Sequence, residues 1–214
     1  MYKRQTILSV FRKILSIIVL ERIRDKVDNY LSPSQAGFRP NRSTGDIVYA
    51  HKWLIARVPK HRESYTILGI DMSSAFDTIL RLKLLEILKD IVNNDELKII
   101  RLLLAETSLN ITCDQKTTEV PTIIGTPQGD SLSPILFIVY LEAALRELRP
   151  LISPSNLIHP NELVYADDCD IIFDNKAEAT ASVPIIVNCL QKWNLQVNAG
   201  KTEFTVVSLS LIHI

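Results

Sequence analysis

The chain has 214 residues, 47% of them apolar, and balances 24 basic against 24 acidic side chains. That is apolar content for one or two folded cores, and it excludes a disordered or low-complexity chain. No apolar run approaches the ~20 residues of a membrane-spanning helix, so no membrane partner is expected.

The balanced total hides an asymmetry. Residues 1–66 hold 13 Lys and Arg against 5 Asp and Glu, a net +8, and residues 67–214 hold 11 against 19, a net −8. A basic first third is a footprint for polyanions or a solvated basic face, and an acidic remainder is what a cation site needs. Cys113, Cys169 and Cys189 show neither zinc spacing nor a disulfide framework, which suits a reducing, intracellular compartment. The ends stand apart. Met1–Gln5 and Leu209–Ile214 can be encoded by opposite strands of one short DNA sequence, similar to the transposon end used in preparing sequencing libraries. Residues 1–5 and 209–214 are therefore expected to be non-native, with the informative chain running from Thr6 to Ser208.

Thr6–Tyr30 places Ile7, Leu8, Phe11, Leu15, Ile18, Val19 and Ile23 among basic residues, which predicts an amphipathic basic helix. Leu31–Gln35 breaks it. The loop that follows, Ala36–Thr44, projects Arg39, Arg42 and two hydroxyls, groups suited to phosphate oxygens or simply to water. Asp46–Val58 reads as a helix carrying Trp53. Tyr65–Ile70 reads as a buried strand ending at Asp71, a carboxylate at a strand's C-terminal tip. Met72–Asp77 turns the chain into a helix with Leu82, Leu85, Leu88 and Ile91 on one face. Asp95 then caps a helix running to about Thr107, with Leu97, Ile100, Leu103 and Leu104 inward. Leu109–Cys113 and Thr118–Ile124 look like strands joined by a polar turn at Asp114–Thr117.

The glycines and proline of Gly125-Thr126-Pro127-Gln128-Gly129-Asp130 let backbone approach a ligand closely. Pro134 stands early in a helix, Ile135–Leu148, that is apolar on nearly every face and should be deeply buried. After a Pro-, Ser- and Asn-rich loop, Pro150–Asn161, two β-favouring runs in Leu163–Phe173 flank Asp167 and Asp168, which predicts a hairpin with both carboxylates at or beside its turn. Adjacent carboxylates repel, and a hard cation such as Mg²⁺ offsets that repulsion. The plainer reading is a solvated Asp-Asp turn. Ala177–Trp193 reads as a helix irregular at Pro184, Asn198–Lys201 as a turn, and Thr202–Ser208 as a last strand. The mixed order favours an α+β fold with a largely antiparallel sheet. If the strands carrying Asp71 and Asp167 are neighbours, three carboxylates converge. Such a site can hold two Mg²⁺ ions about 3.5–4 Å apart and activate an in-line phosphoryl displacement.

In this order the blocks resemble the reverse transcriptase domain of non-LTR (LINE-like) retrotransposons, related to group II intron enzymes, from about Leu31 to Ser208. Leu31–Arg39 is similar to the family's fingers motif, Asp71–Asp77 to its first catalytic motif and Gly125–Pro134 to its template- and nucleotide-positioning motif. Tyr165-Ala166-Asp167-Asp168 is similar to its signature catalytic motif and Gly200-Lys201 to its later lysine motif. The resemblance implies a polymerase palm at 67–208, partial fingers at 6–66 and no thumb, and it leaves open whether this chain is active alone. It implies an RNA-directed DNA polymerase of a mobile element, working on an RNA template and a DNA primer or target with dNTPs. A nuclear location would follow for a eukaryotic element. By the same resemblance Asp71, Asp167 and Asp168 bind two Mg²⁺ ions, or Mn²⁺. Phe76 lies beneath the nucleotide sugar, Gln128 and Gly129 contact the nucleotide and its template base, and Arg39 reaches the triphosphate. Arg39 and Arg42 contact nucleic acid, and Lys201 stands near the leaving pyrophosphate as a proton donor. Phe76 as a plain core aromatic and Lys201 as a solvated turn lysine remain alternatives. An RNA-directed RNA polymerase would be expected to show Gly-Asp-Asp in the hairpin and a polar residue at position 76, and neither is present. A non-catalytic nucleic-acid-binding remnant is the reading from another class, against which the intact Asp trio argues.

Overall fold

The computed structural model of the protein describes residues 8–105, 107–113, 116–152 and 161–209. The chain opens with helices α1 (Val10–Tyr30) and α2 (Thr44–His61), followed by strands β1 (Tyr65–Ile70) and β2 (Met72–Ser73) and a 3-10 turn at Ala75–Asp77. Helices α3 (Arg81–Leu88) and α4 (Asn94–Leu104), strands β3 (Thr107–Cys113) and β4 (Lys116–Thr122) and helix α5 (Ser133–Leu148) come next. Strands β5 (Glu162–Tyr165) and β6 (Asp168–Phe173), helix α6 (Lys176–Lys192) and strands β7 (Gln196–Val197) and β8 (Glu203–Val207) complete the order. Part of the turn expected at Asp114–Thr117, most of the Pro150–Asn161 loop, Ile7, and the ends 1–5 and 210–214 lie outside the described residues.

Two compact units divide the chain: Met1–Leu31 with Ser74–Tyr140, and Ser32–Ser73 with Leu141–Ile214. The second unit holds a four-stranded sheet of order β5-β6-β1-β8, antiparallel at every pairing, as the α+β expectation required. Helix α6 packs on β1 and β6, and α2 on β5. Leu54, Val58, Tyr65, Ile67, Leu163 and Ile172 form a buried cluster that joins α2 to the sheet. Full burial of such side chains is worth about 1.5–3 kcal/mol each, so this cluster fixes the sheet on which the acidic residues stand. The register pairs Gly69 with Asp170 and Ile70 with Cys169. One step further, Asp71 and Asp168 fall at the same end of two neighbouring strands. A short ladder of β2 with β7, which the sequence pattern does not announce, holds the chain just beyond Asp71.

In the first unit α1 packs on α4. Its buried seam is Ser16, Val19, Ile23 and Val27, whereas Phe11, Leu15 and Ile18, expected on the apolar face, are exposed. Val10, Phe11, Ile14, Leu15, Ile17 and Ile18 surround the first half of this helix, so periodicity there singles out no face. Ser9 caps α1 by accepting the Arg12 N–H. Lys26 Nζ reaches Glu96 Oε2 at 2.6 Å and Oε1 at 2.8 Å. The cap of α4 is Asn93 rather than Asp95: Asn93 Oδ1 accepts the Glu96 N–H and Glu96 returns the bond to the Asn93 N–H. Leu97, Ile100, Leu103 and Leu104 are buried as read from the sequence. On α3 the expected face is corrected, for Leu82 is 82% exposed and Arg81 is buried in its place. Helix α5 is buried from Ile135 through Leu141, as its composition required. Helix α6 continues through Pro184, and α2 contains Pro59 near its end. Among the described residues no helix is long and apolar enough to cross a membrane.

Candidate active site

Strand β1 is apolar up to Ile70 and places Asp71 where the strand ends. The Asp71 backbone is held on both sides: its C=O accepts the Asn198 N–H at 2.8 Å, and its N–H faces Thr202 Oγ1 at 3.4 Å. Lys201 Nζ stands 3.5 Å from Asp71 Oδ1. Asp71, Tyr165, Asp168, Asp170, Lys201, Glu203 and His51 line one cavity of about 560 Å³ in the second unit.

The opposing corner is the turn from β5 to β6. Ala166 occupies the left-handed region at φ 57°, a conformation that costs an L-residue roughly 1–2 kcal/mol. The cost is offset by a buried side chain, Gln35. Gln35 Oε1 accepts the Ala166 N–H at 3.1 Å and the Gly37 N–H at 2.7 Å, while Gln35 Nε2 donates to the Ala166 C=O at 3.3 Å. The Ala36 N–H donates to Val164 O and the Val164 N–H to Ser34 O, so the loop runs as a strut along the hairpin. A Cβ on Gly37 would lie 2.2 Å from the Ala166 backbone nitrogen, which leaves room for glycine alone. The loop read as suited to phosphate oxygens or to water, together with the two residues before it, therefore braces the acidic turn. Within it Arg39 Nη1 donates to the carbonyls of Ser32 and Gln35, and Arg42 lines a second cavity beside Glu162 and Arg149.

The carboxylates feel one another. Asp168 is exposed, yet partial loss of hydration, with Asp167, Asp71 and Asp170 nearby, raises its pKa above the ordinary carboxylate value, and Lys201 opposes the rise. Among the described residues no three His, Cys, Asp or Glu side chains stand grouped as a ready chelate. What the corner carries is a surplus of negative charge, which suits cation binding. Asp170 and His51 were missed from the sequence. Asp170 lies two residues from Asp168 and so on the same face of β6, a signal that was available. His51 Nε2 lies 3.0 Å from Asp170 Oδ2, and this hydrogen bond raises the imidazole's pKa against the effect of its partial burial. Burial pushes the Cys169 thiol well up, so it is a neutral core group.

Phe76, Gln128 and Gly129 belong to the first unit. Phe76 is half-buried with its ring 4.6 Å from that of Phe137. The Gly125 N–H donates to Ile79 O and the Thr126 N–H to Phe76 O, so the Phe76 turn and the glycine loop are stitched together. Gly129 takes φ 93° and is exposed, and Gln128 is half-buried.

Comparison with known proteins places the chain in a family. The model of the family described as "Reverse transcriptase (RNA-dependent DNA polymerase)" matches residues 2–211. The "Retrovirus-related Pol polyprotein from type-1 retrotransposable element R2" of Popillia japonica is 24% identical over 96% of this chain and 29% of its own length. The "RNA-directed DNA polymerase from mobile element jockey" of Drosophila melanogaster is 23% identical over 94% of this chain and 23% of its own length. The chain thus spans under a third of these curated relatives. Among solved structures, telomerase of Candida tropicalis with a telomeric RNA fragment superposes with a TM-score of 0.65 at 18% identity, over 91% of this chain and 33% of that one. Its apo form, truncated of the C-terminal domain, gives 0.64 at 16% identity over 89% of this chain and 40% of that one. At such identities the likeness is one of fold.

Proposed function

The chain belongs to the reverse transcriptase family, and from that premise we propose that it is an RNA-directed DNA polymerase segment of a non-LTR mobile element, extending a DNA primer with dNTPs on an RNA template. The observation that carries the proposal is the meeting of Asp71 and Asp168 at one end of neighbouring strands, where partial loss of hydration and then the charges of Asp167, Asp71 and Asp170 raise the Asp168 pKa. In this reading 67–208 is the palm and 6–66 a partial fingers region.

Asp71, Asp167 and Asp168 would hold two Mg²⁺ ions, or Mn²⁺. When bound, such ions supply charge neutralisation and Lewis acidity at a transferring phosphoryl group. The chain's own residues do the rest. Lys201, beside Asp71, carries a proton toward the departing pyrophosphate. Phe76 presents its ring to the nucleotide sugar, and its packing on Phe137 keeps that ring from yielding to a 2′-hydroxyl. Gln128 and the exposed backbone of Gly129 orient the base against its template. Arg39 and Arg42, in the basic first third, contact phosphates of the nucleic acid or nucleotide.

The alternative is a remnant that binds nucleic acid through its basic first third without catalysis. Primer extension on RNA and DNA templates with Mg²⁺ separates the two. The proposal expects dNTP-dependent extension on RNA that Asp167→Ala removes. Equal primer–template binding by both proteins, with no extension by either, would establish the remnant.

A further inference from the structure

Arg81 is a charged side chain that the fold buries. Among the described residues its guanidinium meets six oxygens, all neutral. Nε donates to Gly125 O at 2.7 Å. Nη1 faces Leu104 O at 2.7 Å, Thr107 Oγ1 at 2.8 Å and Thr122 O at 2.7 Å. Nη2 faces Ile124 O at 3.1 Å and Thr122 Oγ1 at 3.3 Å. Every N–H of the fork is engaged, so the group has no donor left over for a ligand. Burial and the nearby Arg12 cation lower its pKa.

These acceptors come from three segments: the end of α4, the base of the β3–β4 hairpin, and the residues that open the glycine loop. That loop is already pinned on its other side. Gly125 stands at φ 74°, where a Cβ would lie 2.8 Å from Asp77 O and 2.9 Å from Asp77 Cα. Its N–H and that of Thr126 donate to Ile79 O and Phe76 O, at 2.8 and 3.0 Å. Arg81 lies two residues beyond Ile79 in the same stretch of chain. The turn bearing Phe76 thus grips the loop bearing Gln128 from two sides, by backbone bonds and by the Arg81 fork.

We propose that Arg81 is a positioning residue for nucleotide selection: it fixes the Gly125–Gly129 loop against the Phe76 turn and so sets the spacing at which sugar and base are read. The inference rests on the polymerase reading above. Lysine at this position keeps the charge but offers three donors from one atom, which cannot span acceptors arrayed around a planar fork.

Three readouts on Arg81→Lys decide it. Hydrogen exchange at the Gly125 and Thr126 amides should quicken at least tenfold, while amides of β1 and β6 keep their protection. In single-nucleotide incorporation the KM for dNTP should rise about tenfold or more with kcat changed little, and the ribo/deoxy discrimination should shrink. Circular dichroism should show the wild-type fold. If Arg81→Lys does not fold, Thr107→Val, which removes one acceptor and keeps the shape, should move the same readouts less far. Unchanged exchange at Gly125 and Thr126 overturns the proposal, as does a fall in kcat and melting temperature with KM and discrimination unmoved. Faster exchange in the variant, with no incorporation by the wild-type chain, would keep the loop-positioning role and remove the polymerase reading instead.

Discussion

Two charged centres of this molecule are held in opposite ways. In the first unit the Arg81 cation is buried and saturated by neutral oxygens from three segments. In the second unit Asp71, Asp167, Asp168 and Asp170 crowd one corner, and the main compensation in view is Lys201 at 3.5 Å and His51 on Asp170. A saturated charge organises backbone and has nothing left to offer a ligand. An under-compensated one stores repulsion that a bound cation relieves. The backbone beneath the acidic corner is nonetheless as firmly braced as Arg81's surroundings, through Gln35 and Gly37. Rigid support under frustrated charge is the pattern of a site prepared for its ligand.

The sharpest break of this comparison is Asp167→Ala. Removing one carboxylate from the corner should slow primer extension roughly a thousandfold, about 4 kcal/mol of transition-state stabilisation, with the fold intact by circular dichroism. Incorporation within tenfold of wild type would reject the cation role. Next in size is Phe76→Val, which opens space where a 2′-hydroxyl would otherwise clash. The ribo/deoxy ratio should relax roughly ten- to a hundredfold, read by single-nucleotide incorporation. An unchanged ratio would make the Phe76–Phe137 pair a core contact and nothing more.

Gly37→Ala tests the brace itself. The new methyl meets backbone, which cannot swing aside, so destabilisation of about 1–3 kcal/mol is expected in urea unfolding. Extension should fall with it, whereas a wild-type denaturation midpoint would show that the strut is not needed. The smallest effect is expected from charge reversal at Arg39 and Arg42. Nucleic-acid affinity should weaken with little sequence dependence, and the salt slope should drop by about one for each phosphate that is no longer neutralised. An unchanged slope would place the binding face elsewhere.

Much of the acidic corner was legible in the chain. Tyr65–Ile70 has one reading as a buried strand, the Asp167-Asp168 pair has one place in a hairpin, and their antiparallel pairing follows from a mixed element order. Asn93 shows how local competition is settled beyond reach of a simple rule. Asp95 is as good a cap by type, but only Asn93 has Glu96 at the reciprocal position. Arg81 and Leu82 exchanged roles because six acceptors supplied from distant segments outweigh a leucine's preference for the interior. The Gln35–Ala166 clasp joins residues 131 positions apart and has no local signature at all. The face of α1 was unreadable for a different reason: apolar residues surround its first half, and the seam is marked by continuation to Ile23 and Val27 alone.

The claim that the acidic corner is a cation site is tested most directly by Mn²⁺ binding, followed through the resonance of the free ion, with primer–template and dNTP present. The account predicts saturable binding to the wild-type chain, competed by Mg²⁺ and lost in a chain carrying both Asp71→Asn and Asp168→Asn. Equal binding by the two proteins, with or without Mg²⁺, would contradict it.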